Sequence, residues 1–521
     1  MRRLLRLSIA TMAAMALAMP AMPATADPGE EHGHSHSGPP ELPPFTGSAT
    51  SNMNLVANAD KDGVVNSDLA FWEDLVFAGN YDGFRIFDIS RPSRPELLSD
   101  YFCRGPQNDV SVYRFRNRLI LFQSIDRPQS QESCDGTRAG SSVDTPIIQA
   151  PSPDAGRAEF GFEGIRMYDV TNPRRPVFLD GIPTACGSHT HTLVPDRKRG
   201  AVQLYVASYP LGSSVTPASF TGSGPRCASP HQKISIVTVP FHNPMSWRVK
   251  EKALSDDTDT YPGAVAGNPL APPFKACHDF QVLEKKRVAV ASCAGDTQLW
   301  DISDPANPTS GNNEPHTHIR EPGGGDEFEF MHSAVITWDG KYFATMDETG
   351  GGGTPECDGS AEEKGGQSES GFYYFYKLVR PGDPAPPLLS RFMIPRPQGT
   401  QVCVSHNANV LPVHGRYLMS MATYMGGNSI VDFTNPRNPV EVAYSDLEDT
   451  VGAADSWSTY WYNDNVYANG GLNRRGADQN RGLDIFAVTD ANGKRLTTRD
   501  WHHSNPQTQE SFQAPGHHWF H

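Results

Sequence analysis

The sequence predicts an all-β fold: a seven-bladed β-propeller with long loop insertions on one face. Three observations carry the prediction. A strand-and-turn unit recurs seven times, 47 glycines and 44 prolines punctuate the chain, and long amphipathic stretches of helical period are few.

From the N-terminus, Arg2, Arg3 and Arg6 precede an apolar Ala/Met/Leu run that closes on Ala24-Thr25-Ala26, the pattern of a cleaved secretory signal over residues 1–26. Pro20 and Pro23 interrupt that run, and no later stretch is apolar for long enough to span a bilayer. The expected product is a secreted protein without a transmembrane segment, with peripheral cell-surface association open. Residues 27–48 are polar and Pro-rich, with His32, His34 and His36, and read as a disordered segment. Residues 49–499 are assigned to the propeller. Residues 500–521 carry His502, His503, His517, His518 and His521 and read as a second mobile tail.

The repeat is clearest at Gly83-Phe-Arg-Ile-Phe-Asp88-Ile-Ser-Arg-Pro and Gly164-Ile-Arg-Met-Tyr-Asp169-Val-Thr-Asn-Pro. It returns at Leu299-Trp-Asp301-Ile-Ser-Asp-Pro and Ile430-Val-Asp432-Phe-Thr-Asn-Pro, with weaker copies at Ile234–Pro240, Phe372–Leu378 and Gly482–Thr489. An apolar strand signal precedes each copy, from Leu75-Val-Phe-Ala to Val466-Tyr-Ala-Asn. This unit resembles the LVIVD repeat of secreted bacterial β-propellers over roughly residues 50–490. The resemblance implies the fold and the export, and brings no reaction with it. A ring follows because a small sheet cannot bury both faces alone, so repeats stack radially and leave short, protected edges. The repeated aspartates Asp88, Asp169, Asp301 and Asp432 precede Ser/Thr-x-Pro and are expected to accept amide bonds in a turn.

Before each strand signal the innermost strand should begin, near Asp68, Asp109, His189, His278, His332, His406 and Ser456. Insertions at Asp126 to about Glu163, Leu211–His231, Thr349–Gly371 and Leu472–Arg481 fall between second and third strands. Up-and-down topology sends them to the face where first strands start.

Lys and Arg total 44 against 59 Asp and Glu, a net charge of −15 that becomes about −18 once three signal arginines are removed. Nucleic acid is an unsuitable partner for so acidic a chain. A small molecule or an extracellular protein remains, bound by a monomer. Eight cysteines in an exported chain point to disulfides, with sequential pairing expected. No GxSxG elbow or phosphate loop is present, and the calcium-loop-like Asn58–Gly63 has Leu69 where a bidentate Glu is needed.

The strings Cys186-Gly-Ser-His189-Thr-His191, Cys277-His278-Asp279, Met331-His332-Ser333 and Cys403-Val-Ser-His406 occur at equivalent places in four consecutive repeats. Imidazoles converging from rigid strands suit zinc, iron or copper. His189, His191, His278, His332 and His406 are therefore the candidate ligands, and His189 and His191 should share a strand face. Glu348 and Asp279 are the candidate catalytic carboxylates, with Asp347 and Asp109 nearby. An enzyme built this way would be a metal-dependent hydrolase or oxidoreductase. Two other readings stand beside it: a metal-free ligand- or protein-binding scaffold, and histidines that simply tie each inner strand to its neighbour's backbone.

Overall fold

A computed structural model describes residues 48–510, except 62, 142–161, 211–228, 262–272, 321–329, 349–370, 397, 399–401, 447–455, 471–480 and 497–499. All of them belong to one compact unit, Leu42–His521. Apart from two 3-10 turns, the described secondary structure is strand, arranged as seven sheets whose four blade strands run antiparallel. The first strands of the seven blades are Asn66–Trp72, Gln107–Phe115, Thr190–Asp196, Asp279–Leu283, Met331–Ile336, Ala408–Val410 and Ser456–Tyr462. They touch one another in sequence and the last returns to the first, so the ring is closed. This is the seven-bladed β-propeller that the repeats predict.

The recurring units form the third strands, Gly83–Asp88 through Gly482–Val488. At Gly83 and Gly164 the backbone adopts φ of 145° and 143°, and a Cβ would collide with the Tyr101 or Ile182 carbonyl of the adjacent fourth strand. Only glycine tolerates both conditions. Each repeated aspartate accepts the amide of the residue two positions on: Asp88 from Ser90, Asp169 from Thr171, Asp301 from Ser303 and Asp432 from Thr434, all within 2.9 Å. Their role is to close that turn.

Apolar burial lies between blades. Wedges such as Phe77, Phe84, Val112 and Tyr168 between blades 1 and 2, or Tyr205, Ile236, Phe280 and Trp300 between blades 3 and 4, hold neighbouring sheets together. The N-terminus closes the circle, because Met53–Ala59 supplies the fourth strand of blade 7 by pairing with Gly482–Val488. Ser48–Ala49 adds a further strand to blade 6.

All four expected insertions fall between second and third strands, although most of their length lies outside the described residues. Antiparallel order puts these connections, and the fourth-to-first connections, on the face where first strands begin. The expected signal segment and the His-rich stretch up to residue 47 also lie outside the described residues.

The C-terminal segment departs from the reading of residues 500–521 as a mobile tail. Trp501 and His503–Glu510 are buried, and they cross the channel at the opposite end from the mouth. His503–Ser504 pairs antiparallel with Phe71–Trp72 of blade 1, while Thr508–Gln509 pairs parallel with Val282–Leu283 of blade 4. Asn505 bonds both the amide and the carbonyl of Val112, as a neighbouring strand would. Composition suggested disorder, but open inner-strand edges at the channel floor supply backbone partners that composition does not register. Residues 511–521 lie outside the described residues.

Two disulfides join sequence neighbours as expected, Cys103–Cys134 and Cys277–Cys293. Cys186 and Cys403 are disulfide-bonded too. Among the described residues no helix is long and apolar enough to cross a membrane.

Candidate metal centre at the channel mouth

Strand register brings the histidines together. The amides of His189, His278 and His406 donate to Ala207, Ser292 and Ala422, the last residue of the second strand in blades 3 and 6 and the last but one in blade 4. His332 occupies the same level in blade 5 as the extra residue of a bulge, since Met331 pairs with Asp347 and Ser333 with Met346. Four successive blades thus present one imidazole each at one height.

The rings form an arc, with centroids 4.5 Å apart from His189 to His278, 3.9 Å from His278 to His332, and 4.2 Å from His332 to His406. Glu348, directly after the second strand of blade 5, enters the arc. Its Oε2 lies 3.9 Å from His332 Nε2 and its Oε1 lies 3.7 Å from His406 Nε2. Donor atoms of His278, His332 and Glu348 all fall within 4.8 Å of one another. Ligands bonded to one ion at about 2.0–2.2 Å stand roughly 3–4 Å apart, which is the spacing between Glu348 and its two imidazoles.

His278 and His332 are fully enclosed, and Nδ1 of each has no hydrogen-bond partner among the described residues. Burial, reinforced by the neighbouring histidines, holds both well below the ordinary imidazole pKa. Neutral rings keep the lone pair that a metal requires. His406 differs in having its orientation fixed, since Nδ1–H donates to the Trp457 carbonyl and leaves Nε2 facing Glu348. That is the outer support a ligating imidazole needs.

The other wall is aromatic. Tyr209 stacks on Phe274 at 4.7 Å, and Phe330 packs edge-on against His278 at 5.5 Å and against Tyr261 at 5.0 Å.

No protein-family model matches the chain, and no curated protein matches it. Many solved structures match by fold. The structure of U3-55K is similar over 85% of this chain and 100% of its own, with 9% identity and a TM-score of 0.45. Raptor from Chaetomium thermophilum is similar over 87% of this chain and 30% of its own, with 10% identity and a TM-score of 0.43. At such identities no residue role is transferable.

The remaining candidates do not join the arc's donor set. His189 adjoins it, but Nδ1–H donates to Asp126 at 2.9 Å while Nε2 accepts from Gln107 at 2.6 Å and Tyr209 at 3.0 Å. His191 is one layer deeper, with Nδ1 2.8 Å from the Ser124 hydroxyl and Nε2 2.6 Å from that of Ser111. It does turn towards blade 2 with His189, as the two-residue spacing predicts. Asp279 accepts from the Phe280 amide at 2.7 Å and the Thr192 hydroxyl at 3.2 Å. Asp347 holds the Phe330 amide at 2.7 Å, and Asp109 holds that of His191 at 2.7 Å. Asp68 and Asp109 lie below the mouth because their strands begin two residues earlier, at Asn66 and Gln107.

Tyr424, whose hydroxyl donates to Glu348 Oε1, went unrecognised in the sequence. So did Tyr209. A signal existed: Tyr209, Glu348 and Tyr424 each follow the end of their blade's second strand by one or two residues.

Proposed function

We propose that this chain is an exported propeller whose mouth holds a transition-metal ion on His278, His332, His406 and Glu348, with His189 bordering the site. The observation that carries this reading is the ligand-like spacing of Glu348 from two imidazoles, in a cluster where two buried ring nitrogens have no hydrogen-bond partner among the described residues. Imidazole with carboxylate suits zinc, iron or copper.

Such an ion lowers the pKa of a bound water or polarises a substrate oxygen. Catalysis would then be that of a metal-dependent hydrolase or oxidoreductase on a small extracellular substrate. Glu348, oriented by Tyr424, would serve as ligand or proton acceptor, and the Tyr209/Phe274/Phe330 wall would favour a substrate with an apolar face. The disulfides and the LVIVD-like repeat support export. The metal-free scaffold keeps one observation in its favour, because every ring nitrogen of His189 and His191 is spent on packing hydrogen bonds.

Elemental analysis of the mature chain beside His278→Ala/His332→Ala tests the proposal. The double variant should carry one equivalent fewer of zinc, iron or copper. Equal metal content in two folded proteins, after reconstitution with each ion, would sink the metal reading and leave the scaffold.

A further inference from the structure

A second cluster lies away from the mouth, on the fourth strand of blade 4, His316–Ile319. His316 and His318 are two residues apart on this strand and share a face, with ring centroids 4.7 Å apart. Each Nδ1 is already committed. That of His316 donates to the Glu314 carbonyl at 2.8 Å, and that of His318 to the fully buried Asp296 carboxylate.

In the tautomer with a proton on each Nδ1, both Nε2 atoms present lone pairs, and they face each other at 2.7 Å. Two lone pairs at that separation repel unless a cation lies between them. Asp257 Oδ1 completes the group, 3.2 Å from His318 Nε2 and 3.8 Å from His316 Nε2.

The loop that delivers Asp257 is anchored. Arg320 binds the Asp257 carbonyl and the Asp259 carboxylate, Ser255 donates to Asp257 Oδ1, and the Asp256 amide donates to Asn312 at 2.9 Å. Both imidazole side chains are only 8% exposed, whereas Asp257 is 61% exposed, so the cluster has a preorganised inner side and an open outer one.

We infer that His316, His318 and Asp257 form a second divalent transition-metal site, in which two Nε2 atoms and one carboxylate oxygen bind zinc or copper and solvent takes the open position. The carbonyl of Glu314 and the carboxylate of Asp296 play the outer-support role that fixes a ligating imidazole's tautomer. Zinc at about 2.0–2.1 Å from each nitrogen sets them roughly 3.3 Å apart, so the rings open by a small rotation on binding. The ion joins the blade 3 to blade 4 connection to the outer edge of blade 4. A proton shared between the two Nε2 atoms is the competitor that the ion displaces. The assignment is independent of the mouth site.

Zinc titration by calorimetry on the chelator-stripped, full mature chain tests it, with His316→Ala/His318→Ala, Asp257→Asn and His278→Ala/His332→Ala in parallel. The His-rich termini are common to all four proteins and cancel in the differences. The outer-strand double variant should lose one equivalent that the mouth variant keeps. Asp257→Asn should bind that equivalent at least about 10-fold more weakly, and zinc should raise the melting temperature less than in the parent. Unchanged stoichiometry and affinity in the outer-strand variant overturns the inference. If that variant does not fold, unchanged affinity in Asp257→Asn, an exposed substitution, overturns it equally.

Discussion

What separates a candidate ligand from a packing histidine is how many ring nitrogens the fold has already engaged. Equivalent sequence positions gave His189, His278, His332 and His406 the same standing, and the register does set them at one height. Yet Gln107, Tyr209 and Asp126 take up both nitrogens of His189, and Ser111 and Ser124 those of His191. Those partners come from other strands or from a different blade, so no local pattern around residue 189 or 191 announces them. His231 shows what a fully enclosed imidazole does to stability. It lies 3.2 Å from Cys186 Sγ, and burial, helped by Lys233, pushes its pKa down to about 3. A folded-state pKa below the unfolded one of about 6.5 means the unfolded chain binds the proton first, so stability is lost as pH falls from about 6.5 towards 3. Replacing His231 by Leu removes that component. The stability difference between parent and His231→Leu, followed by urea unfolding, should shift against the parent across that window; a pH-independent difference would show that His231 does not couple to folding.

At the level of elements, the third strand and its turn were the most legible. Gly83 and Gly164 are demanded by a neighbouring carbonyl at positive φ, and Asp169 by the Thr171 amide. These are short-range needs, and they repeat wherever the local geometry repeats. The channel floor was illegible because residues 503–510 pair with strands hundreds of positions away. Asn505 is the sharpest case, a side-chain amide standing in for a strand against Val112. Asn505→Ala leaves a buried amide and carbonyl without partners and should cost about 2–3 kcal/mol. Chemical denaturation measures the loss, and a change below about 0.5 kcal/mol would mean that the segment only covers the floor.

For the whole molecule, stability depends on closing the ring, and closure is carried by the N-terminal strand Met53–Ala59 in blade 7. Met53 is 1% exposed and belongs to the buried apolar cluster that includes Ile485, Phe486 and Trp461. Met53→Ala should cost about 2–5 kcal/mol. Hydrogen exchange should accelerate first in Gly482–Val488, over 400 positions from the substitution. Exchange that rises equally in all blades would instead indicate that the ring opens only as one cooperative unit.

Blade number, the strand unit, its turn chemistry and the level of the four mouth histidines were determined by the sequence, because each follows from contacts within a repeat, and repetition makes such contacts visible. The donor spacing within that level, the packing bonds that take up His191, Asp109 and Asp279, the bond from Tyr424 to the expected Glu348, and the burial of residues 503–510 were decided by tertiary structure alone. In each of those cases the deciding partner belongs to another strand or another blade, and only closure of the ring brings it within hydrogen-bonding or metal-ligand distance.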